Sequence, residues 1–90
     1  MDEDITHQAI TDYSVIDIKT SRISETEDEI IEIGAVKVKD SKIVDTYTTL
    51  IKPQKELSNR IQAMTLISND LLQYAPSIDT VIPKILDFIE

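Results

Sequence analysis

The sequence predicts a small α/β domain in which three β-strands precede three helices. Three runs rich in β-branched residues, at 13–19, 30–39 and 43–51, are typical of strands, and the tetrad at 39–42 predicts a hairpin turn. After Pro53, apolar residues recur at spacings of three and four, which indicates helices. Ninety residues suffice for one hydrophobic core, so two independent domains are excluded.

The first predicted strand has apolar side chains on both faces. Val15 and Ile16 are adjacent β-branched residues, and Ile18 follows on the same face as Ile16. Apolar residues on both faces are typical of a strand in the interior of a sheet. We therefore expect a central position for residues 13–19.

The second and third predicted strands form an antiparallel hairpin. In the second strand, Val36 and Val38 alternate with Lys37 and Lys39, which predicts one buried face and one solvated face. The third strand is rich in Thr and returns from the turn as the neighbour of the second. The sheet is therefore predicted to be mainly antiparallel.

The second half of the chain predicts two short helices and a longer C-terminal helix. The first covers about residues 59–64, and Ser68 is a suitable N-cap for the second. Ser77 is the predicted N-cap of the last helix, about residues 78–89, in which Pro83 predicts a kink because it lies beyond the first turn. One stripe of this helix is apolar at spacings of three and four: Ile78, Val81, Ile82, Ile85 and Ile89.

Charge is distributed unevenly along the chain, whose net charge is −8. Residues 1–32 hold ten acids and two bases, whereas residues 33–90 hold seven of each. This acidic balance and the presence of only four aromatic residues predict weak or no nucleic-acid binding. Residues 1–11 have no apolar pattern and are expected to form a flexible acidic leader.

Cysteine is absent, which excludes disulfides and thiolate metal sites and suits a reducing cytoplasm. The acidic start lacks the basic and apolar regions of a secretory signal. No apolar stretch approaches the roughly 20 residues that span a bilayer. We expect a cytoplasmic protein without membrane association.

Two segments carry a resemblance to a known family. Residues 13–20 (YSVIDIKT), followed by residues 28–36 (DEIIEIGAV), resemble the start of a DEDD-type 3′–5′ exonuclease domain, of the proofreading type found in bacterial DNA polymerase III, including polymerase C. The resemblance continues to the closing helix and covers the first half of a family domain. It implies a truncated ribonuclease H-like fold, with residues 12–90 as a single partial domain.

The resemblance implies a family chemistry of two-metal phosphodiester hydrolysis with Mg²⁺ or Mn²⁺. The family places an Asp and a Glu two residues apart on the first strand, so that both carboxylates point to the same face. Asp17 matches this Asp and is the candidate catalytic and metal-binding residue. Lys19 stands in place of the Glu, and we expect no hydrolytic activity from this chain alone.

A second family motif contributes to the pocket for the terminal nucleotide. Residues 64–67 (MTLI) resemble its Leu-Thr-Gly-Ile, which implies substrate contacts for Thr65 and Ile67, and the first motif implies one for Thr20. Leu66 replaces a Gly that permits close backbone approach and positive φ. We therefore expect this pocket to be damaged.

Lys19 reverses the charge at the centre of the implied site. We expect its ammonium to be an internal counterion of Asp17; alternatively, the side chain extends into solvent. Metal binding is disfavoured in both cases, so no cofactor is expected. Glu32 is not a metal ligand in the family and is expected to be a partly buried residue bonded to backbone or threonine. The acidic residues within 25–29 and the single histidine, His7, are expected to be solvated.

The first predicted strand is also a candidate interface. In the family this strand pairs on both sides, and its second neighbour comes after the segment that the resemblance covers. We expect Tyr13, Val15, Ile16 and Ile18 to pair with another chain, most simply a two-fold related copy in a continuous antiparallel sheet. Alternatively, residues 5–11 fold back and cover the strand.

Three classes of function follow from these expectations. The first is a catalytically inactive remnant of an exonuclease domain that self-associates or binds a partner. The second is half of a split metal-dependent 3′–5′ DNA exonuclease completed by another chain, against which Lys19 argues. The third is a regulatory binding module of a polymerase.

Overall fold

The computed structural model describes residues 10–21 and 28–90. They form a three-stranded antiparallel sheet in the order β1-β2-β3, followed by three helices. The type and order of the elements confirm the sequence-based expectation, with bounds that differ by one or two residues. The strands are β1 (Tyr13–Thr20), β2 (Ile30–Lys39) and β3 (Lys42–Leu50), and the helices are α1 (Asn59–Thr65), α2 (Asn69–Leu72) and α3 (Ile78–Ile89).

A two-residue turn joins β2 to β3. Asp40 and Ser41 both have positive φ, 52° and 62°, as a type I′ hairpin requires. The start of β1 is tied to this turn: the Asp40 N–H donates to Asp12 Oδ1 at 2.8 Å, and the Ser41 N–H donates to the Thr11 carbonyl at 2.9 Å. Thr11, at the end of the expected leader, thus bonds to the hairpin turn through its backbone. Residues 1–9 lie outside the described residues.

The core lies between one face of the sheet and the helices. Alternate residues of β2, namely Ile31, Ile33 and Ala35, are buried on this face. They contribute to two adjoining clusters, one completed by Leu57, Ile61, Ile67 and Leu72, the other by Ile51, Val81 and Ile85. The apolar stripe predicted for the last helix thus supplies the residues that cover the centre of the sheet.

The predicted alternation near the end of β2 is wrong in part. Val38 is buried, but Val36 is only half-buried, and Lys37 lies on the helix side with its Nζ 5.2 Å from the centre of the Phe88 ring. The pairing of β2 with β3 shifts between Lys37 and Val38. Such a shift changes which residues face the core, because side chains alternate strictly along a regular strand.

Serine side chains begin two of the helices. Ser58 Oγ accepts the N–H of Ile61 at 3.2 Å, and Ser68 Oγ accepts the N–H of Leu71 at 3.1 Å, as expected of N-caps. Ser77 occupies the N-cap position of α3 without a side-chain capping bond. The α3 helix continues through Pro83 to its end.

The β1 strand lies at the edge of the sheet, and none of its eight residues is buried. Val15, Ile16 and Ile18 are 50%, 48% and 48% exposed. Within the described residues β1 pairs with β2 alone, so the expected exposed edge is confirmed, whereas the central position suggested by its apolar faces is not found. Among the described residues no strand lies on the second side of β1, and the buried residues of α3 pack against β2.

Candidate functional site

The two residues that carry the family resemblance point to the face of the sheet opposite the helices. Asp17 lies directly across from Gly34, and Lys19 lies across from Glu32, on β2. These positions alternate with the buried Ile33 and therefore face away from the core. Together with Thr48 of β3, the four residues line an open pocket of about 230 Å³.

Lys19 forms an ion pair with Glu32, with Lys19 Nζ 3.4 Å from Glu32 Oε1. The expected pair between Lys19 and Asp17 is not found, and Glu32 is bonded to a lysine and not to backbone or threonine. Residues two apart on one strand are about 7 Å from each other, whereas side chains directly opposite on paired strands start about 5 Å apart. Cross-strand geometry therefore favours Glu32 over Asp17 as the partner.

These donors do not fit a two-metal centre. Mg²⁺ and Mn²⁺ need several anionic or carbonyl oxygens, and here the pocket that Asp17 and Glu32 line also holds Lys19, whose ammonium is already paired with Glu32. In the part of the chain that the structure describes, no three His, Asp or Glu side chains are grouped as metal ligands would be.

Two of the three residues implied in nucleotide contacts come together at the C-terminal end of β1, next to Lys19. Thr20 and Thr65 line a pocket of about 270 Å³ with Ile18, Lys19 and Met64. Ile67 does not reach this pocket, because its side chain is buried in the core with Leu57, Ile61 and Leu72. The predicted contact set is therefore split between a surface pocket and the hydrophobic interior.

Leu66 adopts the backbone conformation that its family counterpart, a glycine, permits. It is the C-cap of α1, with φ 61° and ψ 26° in the left-handed region, and its side chain is 87% exposed. A left-handed conformation costs a residue with a Cβ about 1 to 2 kcal/mol. The loop thus keeps its backbone path despite the substitution, and the substitution instead places a large apolar side chain in solvent.

Two residues that sequence reasoning left without a role close the loop between β1 and β2. Ser21 is fully buried; its N–H donates to the Glu29 carbonyl at 2.9 Å, and its Oγ accepts the Glu29 N–H at 3.1 Å. The Glu29 carboxylate in turn accepts the N–H groups of Gln54 and Lys55, at 2.8 and 3.2 Å. Glu29 was expected to be solvated, and that expectation is wrong, since it anchors the loop after β3.

Of the remaining acidic loop residues, Asp28 is exposed, whereas Glu25 and Glu27, like the histidine, His7, lie outside the described residues. No local pattern marks Ser21 or Glu29, because their partners are eight and about 25 positions away. None of the helices in the described ranges is long and apolar enough to cross a membrane.

A three-stranded antiparallel sheet with an aspartate on its first strand, backed by helices, defines the class of this protein: it has the first part of a ribonuclease H-like nuclease fold. The profile of the Exonuclease family, RNase_T, matches residues 14–90. The chain therefore belongs to the Exonuclease family.

Known proteins of this class resemble the chain over most of its length. It is 46% identical over 78 residues, 87% of the chain, to the DNA polymerase III PolC-type of Thermotoga petrophila, of which it spans 6%. It is 37% identical over 78 residues, again 87% of the chain, to the 3′–5′ exonuclease DinG of Staphylococcus aureus, of which it spans 9%. The nuclease domain of 3′hExo, a DEDDh family member solved with rAMP, shares the fold with a TM-score of 0.78 at 24% identity, over 90% of this chain and 44% of that one.

Proposed function

We propose that this chain is a non-hydrolytic member of the Exonuclease family that acts through protein association. The observation that carries the proposal is the Lys19–Glu32 ion pair on the face that bears Asp17. In the family this position provides a carboxylate for a divalent cation, and here it provides a cation of its own. The fold is retained while the donor set for metal is lost.

The same charges oppose nucleic-acid binding. Without a bound cation, Asp17 and Glu32 present two carboxylates against one ammonium on the open face of the sheet. A phosphate backbone is attracted to surfaces that neutralise it, and a metal ion would be the largest positive charge at such a site. The chain is therefore expected to bind single-stranded DNA more weakly than micromolar at physiological salt.

Calorimetric titration with Mn²⁺ tests the loss of the metal site. The expected result is no saturable binding up to about 1 mM, because Lys19 occupies the position of a ligand. Micromolar binding that Asp17→Ala abolishes would overturn the proposal. Asp45→Ala, which removes an exposed carboxylate on β3, is the matched control.

A second candidate is part of a hydrolytic domain completed by further polypeptide. It is favoured by the extent of the match, which covers only 44% of the solved nuclease domain, and by the uncovered edge of β1. Under this candidate the sheet gains strands and carboxylates from outside residues 1–90.

A chimera separates the two candidates. Residues 13–90 replace the matching segment of the Staphylococcus aureus exonuclease, and Mg²⁺-dependent 3′–5′ hydrolysis of single-stranded DNA is measured. We expect no detectable hydrolysis by the chimera with Lys19 present. With Lys19→Glu we expect the hydrolysis rate to rise by about a hundredfold or more, since one lost electrostatic contact to the transition state costs about that factor. Lys42→Glu, an equal charge change on β3, should restore nothing. Hydrolysis by the chimera that retains Lys19 would favour the second candidate.

A further inference from the structure

We propose that β1 pairs antiparallel with β1 of a second copy of this chain, in a register centred on Ile18 that places Asp17 of each copy opposite Lys19 of the other. The inference rests on the proposed function and deepens it, because it names the partner and the register. The result is a continuous six-stranded sheet with a two-fold axis perpendicular to it.

The free edge of β1 supplies the driving force. An edge strand presents a row of backbone donors and acceptors that pair readily with another strand. Across the described residues this edge has no neighbouring strand. A two-fold axis through Ile18 pairs residues 16–20 of the two copies, and within that stretch Ile16 and Ile18 are about half exposed. Pairing would satisfy the backbone groups and remove apolar surface from water in one step.

Charge complementarity selects the register. Asp17 and Lys19 have opposite charges and lie two apart on the same face, so a two-fold axis through Ile18 brings each against its complement in two symmetric ion pairs. A register centred on Asp17 would instead place two aspartates against each other. One centred on Ile16 would place Asp17 opposite Val15 and Lys19 opposite Tyr13, so that neither charge would meet its opposite across the interface.

The existing ion pair extends this arrangement across the sheet. Glu32 lies opposite Lys19 on one side, and in the proposed register Asp17 of the second copy lies opposite Lys19 on the other. An ammonium group has three donors and can serve two carboxylates at once. Each Lys19 would therefore lie between two acids in a row of alternating charge.

The helix side of the strand adds an apolar contact. Ile16 and Ile18 point to this side, and Ile18 of the two copies would meet at the axis. Beside them, α3 exposes Ile82 and Leu86, which lie on the same helix stripe as Ile89, and Ile89 lines a cavity with Ile16. The two copies would thus form one apolar surface from residues that are half exposed in the single chain.

A charge-swap experiment tests both the partner and the register. Sedimentation velocity is run from about 1 to about 500 µM, the range of a modest interface. The wild type is expected to dimerise, while Asp17→Lys and Lys19→Asp each weaken self-association by about tenfold or more, because each places like charges opposite one another twice. An equimolar mixture of the two variants is expected to recover heterodimers, since every charge again meets its opposite.

Lys42→Asp is the matched control, because Lys42 is an exposed lysine at the start of β3, and it should dimerise as the wild type does. Circular dichroism of each variant establishes that it is folded. A wild type that stays monomeric at about 500 µM overturns the proposal, and so does a mixture that associates no better than its components. Mn²⁺ titration of the same samples reports on the metal site independently, so loss of the dimer and failure of the proposed function are distinguishable.

Discussion

Strands β1 and β2 are both rich in β-branched residues and lie side by side, yet they differ completely in burial. β2 contributes Ile31, Ile33 and Ala35 to the core and has a strand on each side, whereas all eight residues of β1 are at least partly exposed. The difference comes from their neighbours: the buried residues of α3 pack against β2, which has a strand on each side, whereas β1 has a strand on one side only among the described residues. An apolar strand sequence thus predicts that the strand needs neighbours to be buried. Only the assembled structure shows whether those neighbours are present.

The largest expected difference between β2 and β1 is in the stability lost when a large apolar side chain is truncated. Ile31→Ala should lower the free energy of unfolding by about 3 kcal/mol, because Ile31 is fully buried. Ile16→Ala should cost less than about 1 kcal/mol, because half of Ile16 is already in water. Urea denaturation at low protein concentration measures both.

Equal losses in the two variants would contradict the contrast and indicate that β1 is covered in solution. If Ile31→Ala does not fold, Ile31→Val provides a graded substitute with an expected loss of about 1 kcal/mol.

A smaller loss of stability is expected for Asn69, whose side chain bonds the start of α2 to the loop before α1. Asn69 Oδ1 accepts the Leu57 N–H at 2.7 Å, and Asn69 Nδ2 donates to the Leu57 carbonyl at 2.9 Å. Asn69→Ala should cost about 2 kcal/mol in thermal or urea unfolding, since it removes the acceptor of the Leu57 N–H and leaves the Leu57 carbonyl with only the 3.4 Å bond from Gln62 Nε2. Gln73→Ala, at an exposed position in the same turn, should change stability by less than about 0.5 kcal/mol.

A gain in stability is expected from a substitution at Leu66, the C-cap of α1. Leu66→Gly should stabilise the fold by about 0.5 to 1 kcal/mol, because release from the left-handed strain exceeds the added backbone entropy of glycine. Leu71→Gly, in the helical α2, should instead destabilise the fold by about 1 kcal/mol. A loss of stability in Leu66→Gly would show that the exposed leucine makes a stabilising contact in solution.

The smallest effect is expected at the ion pair itself. Lys19→Met should change the unfolding free energy of the monomer by less than about 0.5 kcal/mol, because the Lys19 side chain is 50% exposed and solvent weakens the pair. The measurement is made below the concentration at which the wild type associates. A loss above about 2 kcal/mol would contradict this expectation and show that Lys19 contributes strongly to the stability of the fold.

The strands, the hairpin turn and the helices could be predicted because their signals are local. The β-branched runs, the tetrad around Asp40 and the serine at the start of α2 lie within a few residues of the structure they specify. The shift at Lys37 and Val38 could not be predicted, since it depends on how β3 aligns with β2.

The site was predicted only as far as its residue types. The sequence indicated that Lys19 disrupts a carboxylate pair, but its partner depends on the register of β1 and β2, which places Glu32 directly opposite. The anchoring role of Glu29 was missed for the same reason, because its partners follow β3 and come close only once the sheet has formed. Contacts between distant segments are set by topology, and neither spacing nor composition specifies them.

The end of α3 lies beside the beginning of β1. Glu90 and Ile89 line the same cavity as Asp12 and Tyr13, and the Glu90 carbonyl accepts a hydrogen bond from Lys37 Nζ at 3.4 Å. A peptide fused after Glu90 would therefore start at the N-terminal end of β1 and, if it followed the free edge, would run parallel to that strand. A second copy would approach the same edge in the opposite direction, so a short β-forming tag at the C-terminus should act as a tethered competitor of self-association.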